Sequence, residues 1–390
     1  MPSRNPRLLV VARKYWPVVE DSCHRLMHWL AALRSIQIES TVLTARWHAS
    51  WPDTFLFRNT SIHRLLPSPH SNWNETHFQK NVVSWIQSHL DEFDAIYVDR
   101  ADTLLQVLLS KSSRWEKPIL ARFAPEESLY GLASNVRMSL PAIVDTVRRC
   151  DYVLTSNPGH HRTLLAHGVR EQTIFRMQEL AWIRVQRRVD GRQHALKALA
   201  QASGDFFLPE RSMLMVHIGI ASWMELRQVL LAVCDLLDSG AHLRMWLINP
   251  GISYQAIYDL LKDRGWHREI LIFDGFDDLE DLIQVADLAW VTHPAESIQF
   301  TLPLLLSAGV PILARESLEL QSLAPVDVSE FIYCSPTDLA LKLHRWYANP
   351  RAFEKQALTL RGEYLQNHAS LDAIRNWRNL LERVAEASRS

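Results

Sequence analysis

Short apolar runs punctuate the first half of the chain at Leu8–Ala12, Thr41–Leu43, Ala95–Val98, Ile119–Ala121 and Tyr152–Thr155. Runs this short, without strict alternation, predict strands buried on both faces. Stretches with helical period lie between them, such as His24–Leu33, where Leu26, Leu30 and Leu33 share one face. The second half repeats the scheme with Met213–Ile218, Leu243–Ile248, Ile270–Phe273, Leu288–Val291, Ile312–Ala314 and Phe331–Cys334. Its first helix carries Leu226, Val229, Leu230, Val233 and Leu237 at helical spacing. Strands alternating with helices predict an α/β protein with parallel sheets and crossover helices. The expected order is a Rossmann-like domain over residues 1–182, a charged linker over 183–212 containing "RVQRRVDGRQHALKALAQ", and a second Rossmann-like domain over 213–366. A final helix over 367–390 is expected to cross back to the first domain. Two such domains in tandem would leave a cleft between the carboxyl ends of their strands, where ligands of doubly wound folds bind.

Composition narrows the classes without choosing among them. The 390 residues are 47% hydrophobic and 22% charged with a net charge of −1, so bulk electrostatics give no reason to expect a nucleic-acid partner. Several of the 14 Trp residues, Trp29 and Trp290 among them, fall inside apolar patterns and read as core. Cys23, Cys150, Cys234 and Cys334 are widely spaced with no C-x-x-C pair, which reads as reduced thiols of a cytoplasmic protein. The opening "MPSRNPRLLVVARKYWP" has an apolar run of only about five residues, too short for a signal-peptide core. No stretch approaches the roughly 18 apolar residues of a spanning helix. Peripheral membrane association stays open.

Several passages, taken in order, resemble glycosyltransferase family 4, retaining sugar transferases of the GT-B architecture. "PRLLVVARKYWPVVEDSCHRLMHWLAAL" is similar to the family's opening strand, loop and helix. "RRCDYVLTSNPGHHRTLLAHGV" resembles its strand ending in Ser followed by a helix running to Gly-Val. "ILIFDGFDDLEDLIQVADLAWV" is the most specific match, and "SAGVPILA" and "YCSPTDLALKLHRWYANP" follow in the right order. The resemblance covers nearly the whole chain. It implies two Rossmann-like domains with a cleft between them, a nucleotide-sugar donor, and no resident cofactor.

The donor-site motifs that the resemblance implies are altered. Retaining transfer needs cations or N–H donors at the leaving diphosphate and groups that hold the sugar. Val19 and Glu20 stand where the family has two glycines, and the usual His position falls near Ala124. Gly219 matches the start of the diphosphate clamp, but Ile220 and Glu225 occupy its two basic positions. Arg227 is the nearest basic residue, about 200° around the helix from Glu225. Glu296 matches the first carboxylate of the family's pair, the one that holds sugar hydroxyls, whereas the partner position is Leu304. Backbone N–H groups of Ser297, Ile298 and Gln299 are candidates to face a phosphate. Phe276 is a candidate for base stacking, and His293 and His217 for contact with the donor sugar. "LINPGIS" keeps Gly251, with Asn249 and Pro250 replacing the usual residues. The expected donor-binding set is therefore Gly219, Phe276, His293, Glu296, Ser297, Ile298 and Gln299, with no catalytic residue assigned and no metal implied, since no Asp-x-Asp triplet follows a suitable strand.

One feature comes from the residues alone. Four strand candidates of the first domain run into basic residues, at Arg13–Lys14, Arg46, Arg100 and Arg122. If the strands are parallel, these cations share one rim, which would suit an anionic acceptor or diphosphate. The alternative is a set of rim charges paired with Asp99, Asp102, Glu126 and Glu127. His160 and His161, adjacent on a helix, cannot face one metal and read as surface residues. Three functions stand: a divergent glycosyltransferase of polysaccharide or glycoconjugate assembly; an inactive relative that binds a sugar or nucleotide or serves as subunit of an active transferase; and, on fold class alone, an unrelated two-domain ligand-binding protein with hinge closure.

Overall fold

The computed structural model describes residues 5–18, 21–65, 75–112, 115–125, 138–155, 158–177, 187, 189–219, 221–273, 279–291, 301–316, 329–368 and 371–387. The chain divides into two compact units. One comprises Met1–Trp16, Arg25–Glu179 and Leu371–Ser390, the other Pro17–His24 and Leu180–Ser370.

In chain order the first unit contains β1 (Arg7–Val11), α1 (Asp21–Ser35, from Arg25 onward), β2 (Glu39–Ala45), β3 (Thr54–Phe57), β4 (Thr60–Leu65), α2 (Glu75–His89), β5 (Ala95–Val98), α3 (Thr103–Leu109), β6 (Ile119–Arg122), α4 (Leu140–Val147), β7 (Tyr152–Thr155), α5 (Pro158–Ala166) and β8 (Ile174–Arg176). The sheet order is β3-β4-β2-β1-β5-β6-β7-β8, and every pair is parallel except β3 with β4. Central strands are sealed on both faces: Leu8, Leu9, Val10 and Val11 are all buried. The β3–β4 hairpin and β8 were not expected from the sequence. In β4, Thr60 and Arg64 fill buried positions, so polar residues sit where an apolar run would have announced a strand.

The second unit continues with α6 (Val189–Ala202), β9 (Met213–Ile218), α7 (Trp223–Asp238), β10 (Leu243–Ile248), α8 (Tyr254–Lys262), β11 (Ile270–Phe273), α9 (Leu279–Val285), β12 (Leu288–Val291), α10 (Thr301–Ala308), β13 (Ile312–Arg315), β14 (Ile332–Tyr333), α11 (Pro336–Ala348) and α12 (Pro350–His368). Its sheet runs β11-β10-β9-β12-β13-β14, parallel throughout, the doubly wound order whose direction of winding switches between β9 and β12. α7 forms because Ser222 caps its start, the hydroxyl accepting from Glu225 N at 3.3 Å, and because its apolar stripe is buried. All eight residues of α10 are buried, and Gly309, at φ +74°, turns the chain out of it. The charged bridge is not bare linker: Ala195 and Leu199 of α6 join the second core, and Arg192 pairs with Asp287 at 2.8 Å.

The last helix, α13 (Leu371–Ala387), belongs to the first unit. Trp377 meets Trp29 edge-on at 4.7 Å and Phe175 at 5.4 Å. Trp246, Trp290 and Trp346 are fully buried in the second core.

Candidate functional site

In each unit the carboxyl ends of the parallel strands gather the chemistry. In the second unit, β9 ends at Ile218 and runs into Gly219, whose φ of +101° favours glycine. A side chain built there would meet no atom within 4 Å, so the backbone at the switch point borders open space. Glu225 follows in the first turn of α7 and is buried. Its Oε2 accepts from Ser222 Oγ at 3.1 Å, and its Oε1 accepts from Arg315 Nη1 at 2.8 Å. Arg315 ends β13 with its side chain 49% exposed. Its hydrogen bond to Glu225, opposed by partial burial, raises its pKa. Arg227 lies exposed on α7.

Beneath these residues runs a buried polar array. His217 Nδ1 lies 3.0 Å from the Trp290 carbonyl, so this nitrogen carries the proton, and burial pushes the imidazole down to about 4 against the opposing pull of the Trp290 and Gly219 backbone. The two rings are 4.5 Å apart. Trp290 Nε1 donates to the Tyr333 hydroxyl at 3.0 Å, and burial pushes that phenol up to about 12. His217 is thus a neutral core residue rather than a group reaching a sugar. Leu304, at the position of the missing carboxylate, is also core. The turn after β10 keeps left-handed geometry at Asn249 (φ 50°) and Gly251 (φ 69°). Val19, Glu20, Ile220, Phe276, His293, Glu296, Ser297, Ile298 and Gln299 lie outside the described residues.

In the first unit, β2, β1, β5 and β6 are adjacent and parallel, so the basic residues at their ends occupy one edge. That edge is heavily paired. Arg13 donates to Asp102 at 2.6 Å and to Glu75, whose carboxylate also accepts from Gln79 at 2.7 Å. Burial works against the Arg13 charge, but the two acids outweigh it and raise its pKa. Arg122 donates to the Asp99 carbonyl at 2.9 Å and to its carboxylate at 3.3 Å. Arg25 donates to the same carboxylate, and Tyr97 Oη joins it at 3.0 Å. Arg46 pairs with Asp53 at 2.6 Å, and Lys14 stands over the Trp47 ring at 5.2 Å. Arg100 is half-buried at the end of β5, and Ala124 is buried. Glu126 and Glu127 lie outside the described residues. His160 meets Phe123 edge-on at 5.6 Å, and His161 is half-buried beside it on α5.

Sequence reasoning missed three cations. Arg25 is brought to Asp99 by a long-range contact that no local pattern signals. Arg64 is buried with no carboxylate partner among the described residues, donating to the Pro52 and Trp16 carbonyls at 3.2 and 3.0 Å and lying over Phe55 and Trp51 at 4.1 and 4.7 Å. Burial, helped by Arg46, pushes it down to about 10. Arg315 had a legible signal: "PILAR" occurs at 118–122 and again at 311–315, and both copies end a parallel strand in arginine. Among the described residues no His, Cys, Asp and Glu group could hold a metal ion, and no helix is long and apolar enough to cross a membrane.

No protein-family model matches the sequence, and no curated protein matches it. Solved structures do match. The chain is similar to sucrose-phosphate synthase of Thermosynechococcus elongatus, with 13% identity, 98% of this chain and 100% of that one covered, and a TM-score of 0.71. It is similar to the HepE protein of Anabaena, determined with UDP-glucose, at 14% identity, 97% and 99% coverage and a TM-score of 0.72. The catalytic domain of starch synthase IV of Arabidopsis thaliana, bound to ADP and acarbose, matches at 12% identity, 98% and 100% coverage and a TM-score of 0.64. At these identities the likeness establishes the fold: the chain has the GT-B architecture, with two Rossmann-like domains.

Proposed function

We propose that the protein is a divergent glycosyltransferase that takes a sugar from a nucleotide-sugar donor in polysaccharide or glycoconjugate assembly. The observation that carries this reading is Gly219. A left-handed glycine ends the first strand of a doubly wound sheet at its switch point, with open space where a side chain would stand. Such a position lets a diphosphate approach main-chain N–H groups without a side chain intervening. The UDP-glucose bound by HepE and the ADP bound by the starch synthase domain support the same ligand class.

In this reading Glu296 holds sugar hydroxyls, the N–H groups of Ser297, Ile298 and Gln299 face a phosphate, and Phe276 and His293 flank the donor. The basic edge of the first unit, with Arg13, Lys14, Arg46, Arg100 and Arg122, orients an anionic acceptor. Its reach is tempered by Asp99, Asp102 and Glu75, which already engage Arg122 and Arg13. The four free thiols, three of them buried, support a reducing cytoplasmic setting.

A second reading, an inactive relative that binds the nucleotide or supports an active transferase, is favoured by Glu225 and Leu304. An acid stands where the clamp expects a base, and the ribose ligand is replaced by core. Removing one charge-assisted clamp typically costs a few kcal/mol in the transition state, roughly a hundredfold or more in rate. Calorimetric titration with UDP, GDP, ADP and their sugars, followed by donor hydrolysis assays, separates the two. Hydrolysis that Glu296→Ala abolishes supports transfer. Binding without hydrolysis supports the inactive relative, and silence with every nucleotide refutes donor use.

A further inference from the structure

The altered clamp poses a physical question, because a diphosphate leaving group needs a cation and both expected positions lack one. We infer that Arg315 is the diphosphate-binding cation of this protein, held in place by Glu225. The inference rests on the nucleotide-sugar reading above and names the residue that would carry its anion.

Topology supplies the first argument. Arg315 ends β13, and Glu225 opens the helix that follows β9. In the sheet, β12 lies between β9 and β13, so the pair reaches across the carboxyl end of β12, beside the switch point. The bridge therefore lies at the same carboxyl edge of the sheet as Gly219.

Donor accounting supplies the second. Glu225 is held at both oxygens, by Ser222 Oγ and by Arg315 Nη1, and is buried. Arg315 has five N–H donors, of which this contact uses one, while half of its side chain faces solvent. A guanidinium rooted at one corner and open at the others can add an anion without leaving its carboxylate. Arg122 shows the contrast: the same "PILAR" ending is buried there, with its donors turned to Asp99. Tyr333 adjoins Arg315 in the β13–β14 register, and its hydroxyl is fixed by Trp290, which leaves the arginine a rigid flank.

Charge supplies the third. Two basic clamp positions would give the site two positive charges, whereas Arg315 with Glu225 sums to none. The site should bind a diphosphate weakly, and neutralising Glu225 should strengthen it by removing the charge that opposes the anion.

The test is isothermal titration of the full chain with UDP, GDP, ADP, inorganic pyrophosphate and the free nucleosides. Each is repeated on Arg315→Gln, Arg315→Lys, Arg227→Gln, Glu225→Gln and the Glu225→Gln/Arg315→Gln double variant, with folding checked by circular dichroism and melting. Arg315→Gln should weaken diphosphate binding about tenfold to a hundredfold and leave nucleoside binding unchanged. Arg315→Lys should fall between the two. Glu225→Gln removes a charge that repels the anion with or without Arg315, so it should tighten diphosphate binding about threefold to tenfold in both backgrounds, and the double variant should stay weaker than Glu225→Gln alone. Unchanged binding in a folded Arg315→Gln variant, loss in Arg227→Gln instead, or a double variant that binds as tightly as Glu225→Gln alone would overturn the assignment and leave the donor reading standing. Wild-type silence with every diphosphate would overturn both.

Discussion

Replacing His217 by Asn should flatten the acid limb of the stability profile. The imidazole is fully buried in β9, donates from Nδ1 to the Trp290 carbonyl at 3.0 Å, and is pushed down to about 4 by burial. In the unfolded chain it returns to about 6.5. Above pH 6.5 both states are neutral and the group has no pH effect. As pH falls from 6.5 towards 4, only the unfolded chain takes up the proton, so stability is lost through that window. Linkage gives a loss of about 2 kcal/mol between pH 8 and pH 5, and about 3 kcal/mol near pH 4. For a domain of this size the first figure corresponds to a fall of roughly 4–8 °C in melting temperature. His217→Asn keeps an N–H near the Nδ1 position and removes the titration. The variant should be less stable at pH 8, because the ring leaves a void against Trp290, yet its slope from pH 8 to 5 should be shallower than wild type by about 2 kcal/mol. Urea unfolding at a series of pH values, with Trp fluorescence as the probe, measures the slopes. Parallel slopes would refute the argument.

Three further outcomes follow from the same physical reasoning. Gly309→Ala should cost about 1–3 kcal/mol, because φ is +74° and the new methyl would sit 3.1 Å from Arg361 Cδ and 3.2 Å from Leu358 Cδ2. Urea midpoints with an unchanged m value would check it. Asp99→Ala should destabilise the first unit by about 3–5 kcal/mol, because Arg25, Arg122 and Tyr97 lose their shared carboxylate. Differential scanning calorimetry should register it. Leu304→Glu, which writes the family's carboxylate back into the chain, should lower stability by several kcal/mol and bring no gain in nucleotide affinity, since the position is 1% exposed. Paired melting and titration experiments would decide it, and a stable variant with tighter binding would refute it.

The strands that were legible in the sequence are those whose burial is complete. Parallel strands covered on both faces must be apolar throughout, and Leu8–Val11 or Met245–Ile248 announce themselves for that reason. The β3–β4 hairpin was hidden because Arg64 is buried by stacking on Phe55 and Trp51 and by bonding to main-chain carbonyls, so a charged residue occupies a core position. β8 has three residues and carries no pattern. At the edges, the arginines at the strand ends could be read locally. Their partners could not, since Arg13 with Glu75 and Arg315 with Glu225 join residues far apart in the chain. A counterion that arrives from another element reverses what a lone cation suggests, and only the fold reveals it.

Trp377 has a consequence for how this chain is made. The first sheet is finished by the last helix, whose Trp377, Leu380, Leu381 and Val384 are buried against it. A ribosome delivers that helix only after the whole second unit has emerged. Until then Trp29 and its neighbours wait uncovered, and the earliest-made half becomes whole last. A released chain ending shortly before residue 371 should hold a second unit able to fold beside a first that is still sticky to chaperones.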